Sequence, residues 1–349
     1  MSYMDKKVFY QILFIILLAG LFFTVVLSSM MGAASISFTE AIGIFLSRIP
    51  LLGNLFNTPY EKSHILIIFN IRLPRILLAA VVGMGLSVVG AAMQGMFKNP
   101  MADPGVLGVS SGAALGAAIA ISMGMQKFIF GIGLVTLFSF IGAIATTVIV
   151  YSISRVGGKL PTVNLLLSGV AVSFLFSSVI SIIMIFDRNK MENIVMWTMG
   201  SISAASWKQV AIIAPVVLLG TLAIFIYAKD LNLLSTGSDT ALSLGVEVEK
   251  TKKILLVISS VLVGACVSVS GVVGFVGLII PHIIRLVLGS DHRIVLPFSA
   301  VTGAIFLVLC DTMARSLVPP SEIPVGAITS IFGAPFFIYL LMKSKRKVI

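Results

Sequence analysis

The chain has 349 residues, of which 58% are hydrophobic and only 11% are charged, and its formal net charge is +11 at pH 7. A soluble domain carries about 25% charged residues, so this composition excludes a soluble enzyme or binding module and predicts an all-α integral membrane protein. The basic residues flank apolar segments and do not cluster on a polar domain, which argues against a nucleic-acid partner.

Ten apolar segments are candidates for helices that cross a bilayer, and together they form a single membrane domain over residues 1–349. They lie at residues 8–31, 66–96, 105–123, 128–152, 162–186, 207–228, 251–271, 274–288, 296–314 and 325–342. The second is long for one span and is expected to tilt or to project from the bilayer. The eighth is short and contains Pro281, so we expect it to cross only inside a shell of protein.

Both termini are predicted to lie in the cytoplasm. The first segment has a short basic start and an apolar run of about 20 residues without a clear cleavage pattern, which favours an uncleaved span over a signal peptide. With both termini inside, most of the 24 Lys and Arg residues, including those of the C-terminal run KSKRK, fall on the cytoplasmic side. This asymmetry follows the positive-inside rule, and we expect a multi-pass protein of the cell membrane.

Two segments suggest an inverted repeat. ILLAAVVGMGLSVVGAA begins at Ile76 and ILLVISSVLVGACVSVSGVV begins at Ile254, and each precedes a Gly-rich segment that contains proline. In the predicted topology the two segments run in opposite directions, as an inverted repeat requires. Chance similarity between helices rich in Gly, Ala and Val is the alternative.

The stretch FKNPMADPGVLGVSSGAALGAA, residues 97–118, interrupts the apolar pattern. Asn99-Pro100 is expected to end a helix, because the residue before proline is pushed out of the α region. Asp103-Pro104 predicts a turn, after which the next helix begins with Pro104 in its first turn and Gly105 beside it. The chain should therefore reverse here at the inner surface.

The helix that follows this turn carries small residues on one face. Gly108, Gly112 and Gly116 recur every fourth residue and form a single stripe. Such stripes let helix backbones approach closely in lipid, where apolar burial does not drive helices together. We expect a packing role, with a place in a transport path as the alternative.

The chemistry of known catalytic and metal sites is missing from the sequence. There is no G-x-x-x-x-G-K-[ST] phosphate loop, no H-E-x-x-H and no G-x-S-x-G; the two cysteines lie in apolar runs, and the three histidines are far apart. No ionisable residue falls in the middle of a predicted span, whereas ion-coupled carriers usually need one. The sequence therefore argues against an intramembrane enzyme and against transport powered by this chain alone.

Two predicted loops and a basic motif complete the pattern. Residues 229–250 form the longest inner loop, with room for one or two short helices, for which Ser238 and Asp239 are candidate N-caps and Gly245 a candidate stop. Residues 32–64 form an outer loop of mixed polarity whose role the sequence leaves open.

The motif IRLPR places Arg72 and Arg75 one turn apart at the outer start of the second span. Cations at a helix N-terminus oppose the helix dipole. This mild penalty indicates a partner, and three kinds fit: a lipid phosphate, an internal acid, or an acidic surface on another protein.

The segment IRLPRILLAAVVGMGLSVVGAAMQGMFKNPMADPGVLGVSSGAALGA resembles the signature of permease subunits of type II ABC importers for iron–siderophore complexes, haem and vitamin B12, the FecCD type. Further segments agree in order: LLLSGVAVSFLFSS, MWTMGSISAASW, GVVGFVGLIIPHIIRLVLGSDHR and EIPVGAITSIFGAPFFIYLL. The similarity covers about residues 66–342.

This resemblance implies a vitamin B12 importer permease-like fold of ten transmembrane helices and an assembly of several subunits. A second permease subunit, identical or related, would form a dimer around a central path. Two ATP-binding subunits would sit on the cytoplasmic side, and an extracytoplasmic substrate-binding protein would dock outside. ATP and magnesium would be bound by the ATPase partner, and this chain would bind no cofactor or metal.

The resemblance also implies roles for particular residues. The segment SDTALSLG, with Ser238, Asp239, Ala241, Leu244 and Gly245, matches the coupling helices that seat in the ATPase. The positions of Arg72, Arg75 and Arg315 match those that pair with acidic residues of the binding protein. The fifth span is expected to line the path, which makes Ser168, Ser173, Ser177 and Ser178 candidates; interhelical hydrogen bonding is their alternative role.

The sequence thus favours the membrane subunit of an ATP-driven importer that moves a ferric chelate by alternating access, with an iron–siderophore complex as the preferred cargo. Haem and cobalamin are the alternatives within the family. An ion-coupled secondary carrier is the alternative from another class.

Overall fold

The computed structural model describes residues 3–32, 36–47, 60–125, 127–129 and 132–345. Helices dominate these ranges: α1 Tyr3–Met30, α2 Phe38–Ser47, α3 Lys62–Leu66, α4 Leu73–Met96, α5 Val109–Ser122, α6 Leu134–Ser154, α7 Thr162–Phe186, α8 Met191–Thr198, α9 Trp207–Ile226, α10 Ala228–Thr236, α11 Ser238–Ser243, α12 Val248–Ser270, α13 Val276–Leu288, α14 His292–Ser316 and α15 Val325–Lys345. Two short antiparallel strands, β1 Phe128–Ile129 and β2 Ile132–Gly133, form a hairpin before α6.

In the described residues, 7 helices are long and apolar enough to cross a membrane. They are α1, the continuous helix Lys62–Met96, α6, α7, α9, α12 and α14. Three shorter apolar helices, Val109–Ser122, Val276–Leu288 and Val325–Tyr339, account for the other predicted segments. Every predicted span therefore coincides with a helix, and the all-α membrane fold is confirmed.

Some predicted boundaries need correction. The fourth segment does not begin as a helix at residue 128, because the β1–β2 hairpin occupies residues 128–133 and α6 starts only at Leu134. The third does not begin at residue 105 either: Pro104–Leu107 is a 3₁₀ turn, and Gly108, with φ of 75°, breaks the backbone before α5. The long second segment contains a π-helical stretch at Ile67–Arg72.

Predictions about the outer loop 32–64 are only partly testable. α2 lies within it, and residues 48–59 are outside the described ranges. α2 packs with the start of the second span through Ile36, Ala41, Ile44 and Ile68, which are buried together.

The glycine stripe lies in a tight interface between α5 and α6. A Cβ added at Gly112 would collide with Thr146 Oγ1, and one added at Gly116 would collide with the carbonyl oxygen of Phe138. Gly142 on α6 in turn lies against the carbonyl of Gly112. This contact is between backbones, as small-residue stripes in membrane helices permit, and it supports the predicted packing role.

The helix α4 is at the centre of the bundle. Gly83 lies against the carbonyl of Gly303 on α14, and Gly90 lies against the carbonyl of Gly277 on α13. The buried Ser87 hydroxyl donates to the carbonyl oxygen of Ser299 at 2.8 Å. These close approaches bury most of α4, including residues on all of its faces.

The long helix of each half packs against the helices of the other half, as is expected of an inverted repeat. The helix α4 packs against α13 and α14, whereas its counterpart α12 packs against α5 and α6. Each half also contains a short helix that begins after a residue with positive φ: Gly108 at 75° before α5, and Phe275 at 68° before α13. In both halves a long helix, a break in the backbone, a short helix and two further helices follow one another in this order. This order agrees with the repeat predicted from Ile76 and Ile254.

Replacing Gly112 with leucine is expected to lower the free energy of unfolding by roughly 3 kcal/mol, the upper end of the range for overpacking, because α5 and α6 would have to separate. Gly20→Leu is the matched control, since no atom lies within 4 Å of a Cβ placed there. Thermal unfolding in detergent measures both. Equal stability of the two variants would contradict the close approach of α5 and α6.

Candidate functional site

Polar side chains concentrate at two opposite ends of the bundle. One end, predicted to be cytoplasmic, carries the α10–α11 hairpin, residues 228–243, and the loop between α6 and α7. The other, predicted to be outer, carries a group of charged residues that we call the arginine cluster: Arg72, Arg75, Asp311, Arg315 and Glu322. The helix α4 reaches from one end to the other.

The α10–α11 hairpin is held together by a small apolar cluster. Leu234, Ala241, Val246 and Val248 are all buried in it, with exposures of 0–7%. Ala241, which the sequence analysis assigned to contact with an ATPase, is 0% exposed and anchors α11 to its own chain. That assignment therefore needs correction, because a fully enclosed methyl group cannot touch a partner.

The start of α11 also differs from the sequence-based expectation. Gly237 occupies the N-cap position, and neither Ser238 nor Asp239 caps the helix, because both lie inside its first turn. Asp239 is exposed there, where its charge suits the positive end of the helix dipole. The predicted stop is confirmed: α11 ends at Ser243, and Gly245 takes a φ of 88°, which favours glycine.

Two leucines make the hairpin's surface apolar. Leu242 is 64% exposed and Leu244 is 60% exposed, although the surrounding residues are polar. A groove of about 670 Å³ adjoins Leu242. Its lining combines the loop before α7 with the start of α12 and includes Lys159, Leu160, Pro161, Thr162, Ser238, Asp239, Leu242, Glu247, Val248, Glu249, Lys250 and Lys252.

A hydrogen bond fixes one wall of this groove. The carboxylate of Glu249 accepts from the backbone N–H of Leu160 at 2.8 Å, which ties the α6–α7 loop to the start of α12. The groove therefore has apolar and charged side chains at its surface and one wall held in place by a hydrogen bond, a combination suited to protein docking.

At the opposite end, Arg75 is enclosed in the arginine cluster. Its Nε lies 3.0 Å from each carboxylate oxygen of Asp311, and its Nη2 lies 2.9 Å from Oδ1. A fourth contact runs from Nη1 to Glu322 Oε1 at 2.8 Å. Asp311 is 1% exposed, so this is a buried ion pair whose hydrogen bonds replace water.

The other two arginines bind the end of α1. Arg315 donates to the carbonyl oxygen and the hydroxyl of Ser28. Arg72 donates to the carbonyl oxygens of Ser29 and Met30 at 2.7 and 3.0 Å. The last carbonyls of a helix have no partner within it, so these guanidinium groups stabilise the terminus of α1.

The three arginines of the cluster are enclosed by their own chain. Arg72, Arg75 and Arg315 are 4%, 7% and 6% exposed, and each points into the protein. Of the partners considered from the sequence, an internal acid is present for Arg75 and Arg315. A role in docking a binding protein stays a prediction. The exposed carboxylate of Glu322 is the cluster's surface member.

The four serines of α7 do not share a face. A helix turns by about 100° per residue, which places Ser178 opposite the buried side that includes Leu165 and Val172. Ser177 and Ser178 are exposed, whereas Ser168 and Ser173 are half-buried. Ser173 and Ser178 donate within their own helix, to the carbonyls of Gly169 and Phe174.

These positions exclude one continuous hydroxyl stripe along α7. A place for individual serines on a path stays a prediction.

The predicted turn after α4 lies inside the bundle, next to the backbone break before α13. Asn99 Oδ1 accepts from the N–H of Met101 at 2.9 Å, and Asp103 Oδ1 accepts from the N–H of Gly105 at 2.7 Å. Pro100 lies in the same turn, between α4 and the 3₁₀ segment. A cavity of about 230 Å³ lies where residues 103–105 face residues 272–274 and Gly277. The two breaks therefore adjoin, which sequence spacing alone did not predict.

Sequence reasoning missed a polar group beneath the α10–α11 hairpin. Asn232 contacts Asp291 and His292, which begin α14. Burial raises the pKa of Asp291, but hydrogen bonds from Asn232 and from the N–H of Arg293 outweigh this effect and leave the pKa below its ordinary value. No motif marks these residues, because they lie about 60 positions apart in the chain and meet only through packing.

Among the described residues, no group of three or more His, Cys, Asp or Glu side chains could hold a metal ion.

Comparisons with known proteins agree with this architecture. The sequence model of the FecCD transport family matches residues 20–343. The cobalamin import system permease protein BtuC of Halobacterium salinarum is 46% identical over 89% of this chain and 84% of its own length. The hemin transport system permease protein HmuU of Yersinia pestis is 40% identical over 97% of this chain and 96% of its own length.

A solved structure has the same fold. It is described as an inward-facing conformation of a metal-chelate type ABC transporter, and it superposes with a TM-score of 0.81 at 32% identity. The match covers 95% of this chain and 99% of the other.

Arg75→Gln is expected to lower the free energy of unfolding by about 3 kcal/mol, because it leaves the buried Asp311 without its bidentate partner. The double variant Arg75→Gln with Asp311→Asn should be more stable than this single variant, since it removes both charges. Lys250→Gln is the control: Lys250 belongs to an exposed pair with Glu247, and such pairs contribute about 0–1 kcal/mol. Thermal unfolding at constant ionic strength gives the comparison; additive effects of the two substitutions would contradict the pairing.

Proposed function

Because the chain belongs to the FecCD transport family, we propose that it carries an iron–siderophore complex across the cell membrane by alternating access. It is a permease subunit of an ABC importer for iron chelates, haem or vitamin B12 and a multi-pass protein of the cell membrane. It is not an enzyme; the ATPase is a separate subunit. We propose that this subunit binds the ATP and magnesium. Both termini are proposed to lie in the cytoplasm.

The observation that carries the proposal is the apolar tip of the α10–α11 hairpin. Leu242 and Leu244 are exposed at an end of the bundle that lies beyond the apolar spans, so lipid does not cover them in the proposed topology. Burial of two leucines at a protein interface is favourable, by about 1.5–3 kcal/mol for each fully buried side chain. We propose that a groove of the ATPase covers them and that Asp239 and Gly245 lie at the rim of this contact.

The family and the proposed contact with an ATPase suggest the partners of this chain. Two ATP-binding subunits would engage two permease copies, one beneath each, and a substrate-binding protein would dock at the outer end. The exposed apolar face of α7, with Phe174 and Leu175, is available either to lipid or to a second permease subunit. We propose that this second subunit, identical or related, encloses the path together with α7 and α15.

Alternating access needs points where helices can turn relative to one another. The adjoining breaks at Gly108 and at residues 271–275 supply two such points on either side of one small cavity. The helix α5 follows the first break and α13 the second. Nucleotide-driven movement at the cytoplasmic end would change the populations of outward-open and inward-open states.

The cargo is proposed to be a bulky metal chelate. The related proteins are named for cobalamin, hemin and metal chelates, which share a metal ion enclosed by an organic ligand. The helix α7 offers serine hydroxyls and aliphatic side chains, a weakly polar surface that suits a chelate whose metal is already fully coordinated. A path that bound the metal strongly would release it slowly. Within this class of cargo we propose a ferric siderophore, with haem and cobalamin as alternatives.

Leu244→Glu is expected to lower ATPase binding at least about tenfold, equivalent to ~1.4 kcal/mol, because a carboxylate would be buried at the interface. Gly245→Glu should act in the same direction and also strain the left-handed backbone. Leu317→Glu is the matched control, since Leu317 is 54% exposed at the opposite end. Co-purification with the ATPase and the ratio of ATP hydrolysed to cargo moved are the measurements. Wild-type coupling in both the Leu244 and the Gly245 variant would remove the coupling assignment.

Cargo identity is tested separately on the purified complex. ATPase activity is measured with ferric siderophores, haem and cobalamin, each delivered by the cognate binding protein. Stimulation by ferric siderophores is expected, and stimulation by haem or cobalamin alone would replace the proposed cargo. Accumulation of cargo in liposomes by this chain without ATP or partners would show an ion-coupled carrier instead.

A further inference from the structure

A cluster of Asn232, Asp291 and His292, of which His292 is buried and the other two are partly exposed, joins the α10–α11 hairpin to the rest of the bundle by hydrogen bonds. Asn232 Nδ2 donates to Asp291 Oδ1 at 2.7 Å. Asn232 Oδ1 accepts from the backbone N–H of His292 at 2.8 Å and from its Nδ1 at 2.8 Å. One amide side chain on α10 thus makes three hydrogen bonds to the first residues of α14.

These bonds determine the orientation of every group involved. The carboxylate of Asp291 only accepts, so it fixes which side of the Asn232 amide carries the nitrogen. The amide oxygen also only accepts, so His292 carries its proton on Nδ1. Asp291 Oδ1 accepts as well from the N–H of Arg293 at 2.9 Å and thereby caps α14. Asn232 is therefore bonded to the most rigid point of this helix terminus.

His292 extends the connection to α4. Its side chain is 2% exposed, and its Nε2 lies where a Cβ on Gly95 would be. The imidazole ring consequently lies directly on the backbone of α4 near its end. A displacement of the start of α14 toward α4 would meet this backbone without an intervening side chain.

The preceding residue of α4, Gln94, connects this helix to α13. Gln94 Nε2 donates to the carbonyl oxygens of Gly277 and Leu278, at 3.2 and 3.0 Å. Arg285 donates to Gln94 Oε1 and to the carbonyl oxygen of Ala91. Gly277 borders the cavity between the two backbone breaks. Contacts therefore run from α10 through α14 and α4 to α13. They are hydrogen bonds except between His292 and Gly95, where the imidazole ring packs directly on the backbone of α4.

Apolar contacts also attach α10 to the bundle, but they are less specific. Ala228 and Leu231 are 2% and 0% exposed and pack on the same side of α10. Apolar contacts permit neighbouring helices to slide, whereas hydrogen bonds fix their register. Asn232 is the residue through which axial movement of the hairpin would pull on α14.

We propose that Asn232 is a positioning residue that transmits movement of the α10–α11 hairpin to α14, α4 and α13 through Asp291 and His292. This inference rests on the proposed coupling of the hairpin to an ATPase. Spatial contact alone does not establish such a connection, so the test measures the response of the outer end to nucleotide.

The decisive variants are Asn232→Asp and the exchange Asn232→Asp with Asp291→Asn. The single substitution places a second carboxylate against Asp291 and removes the only donor between them. The exchange restores a donor, now on residue 291, while the carboxylate at 232 still accepts from His292. The amide at 291 has to turn so that its nitrogen faces residue 232 and its oxygen faces the N–H of Arg293, where it still caps α14. Asn193→Asp is the matched control, because Asn193 is exposed and lies in α8, at the predicted outer end.

The readout is a distance in the complete complex with the ATPase. Spin labels are placed at Ser243 on α11 and at Leu317 at the outer end, both exposed, after Cys266 and Cys310 are replaced by alanine. The distance distribution is compared without nucleotide and with ATP and vanadate. Nucleotide should shift it in the unsubstituted complex and in Asn193→Asp, and the shifted population should fall roughly fivefold in Asn232→Asp, the low end for coupled sites.

The exchange variant should restore the shift, which a loss of stability alone would not predict. A full shift in Asn232→Asp, or no recovery in the exchange variant although it assembles, would overturn the inference. If Asn232→Asp does not assemble, Asn232→Ala removes the same bonds without adding charge, and a full shift in that variant would equally overturn it. Failure of the unsubstituted complex to bind the ATPase would instead refute the proposed function itself.

Discussion

Close backbone contact along α4 is the constraint on which the other features of this structure depend. Lipid provides no hydrophobic drive for helix association, so α4 must approach its neighbours closely enough for dispersion forces and hydrogen bonds to act. Gly83 and Gly90 permit this approach to α14 and α13, and the Ser87 hydroxyl adds a hydrogen bond across the first interface. A helix of 24 residues held in this way extends about 36 Å and fixes the positions of both polar ends.

The two ends use charge for different purposes. At the predicted outer end, Arg75 and Asp311 form a buried pair between α4 and α14, and their neighbours bind the last turn of α1. At the predicted cytoplasmic end, an amide, an imidazole and the carboxylate of Asp291 join α10 to α14. Breaking a buried ion pair leaves an uncompensated charge, so the contact between Arg75 and Asp311 is costly to break. Asp291 is partly exposed, so water can replace its hydrogen bonds at lower cost, which suits the end where an ATPase is proposed to act.

The fold of an importer permease assigns the chemistry to other subunits. Along α7 this chain presents hydroxyls and aliphatic side chains, and the buried ion pair of Arg75 with Asp311 lies at one end of the bundle. Such a surface favours passage over retention. The exposed Leu242 and Leu244 would receive movement from the ATPase, and the backbone breaks at Gly108 and Phe275 would allow the helices to respond to it.

The sequence by itself determined the membrane class, the helical segments, the break at Asn99–Pro104, the packing role of Gly112 and the family, because hydropathy, turn residues and small-residue spacing are local signals. Only the tertiary structure decided that Arg72, Arg75 and Arg315 are enclosed, that Ala241 is an anchor, and that Asn232 meets His292. Burial and pairing depend on which side chains other segments bring nearby, and residues 60 or more positions apart carry no local mark of such contacts. The sequence did not predict the β1–β2 hairpin either, because the hydropathy of its apolar residues is the same as that of the start of a span.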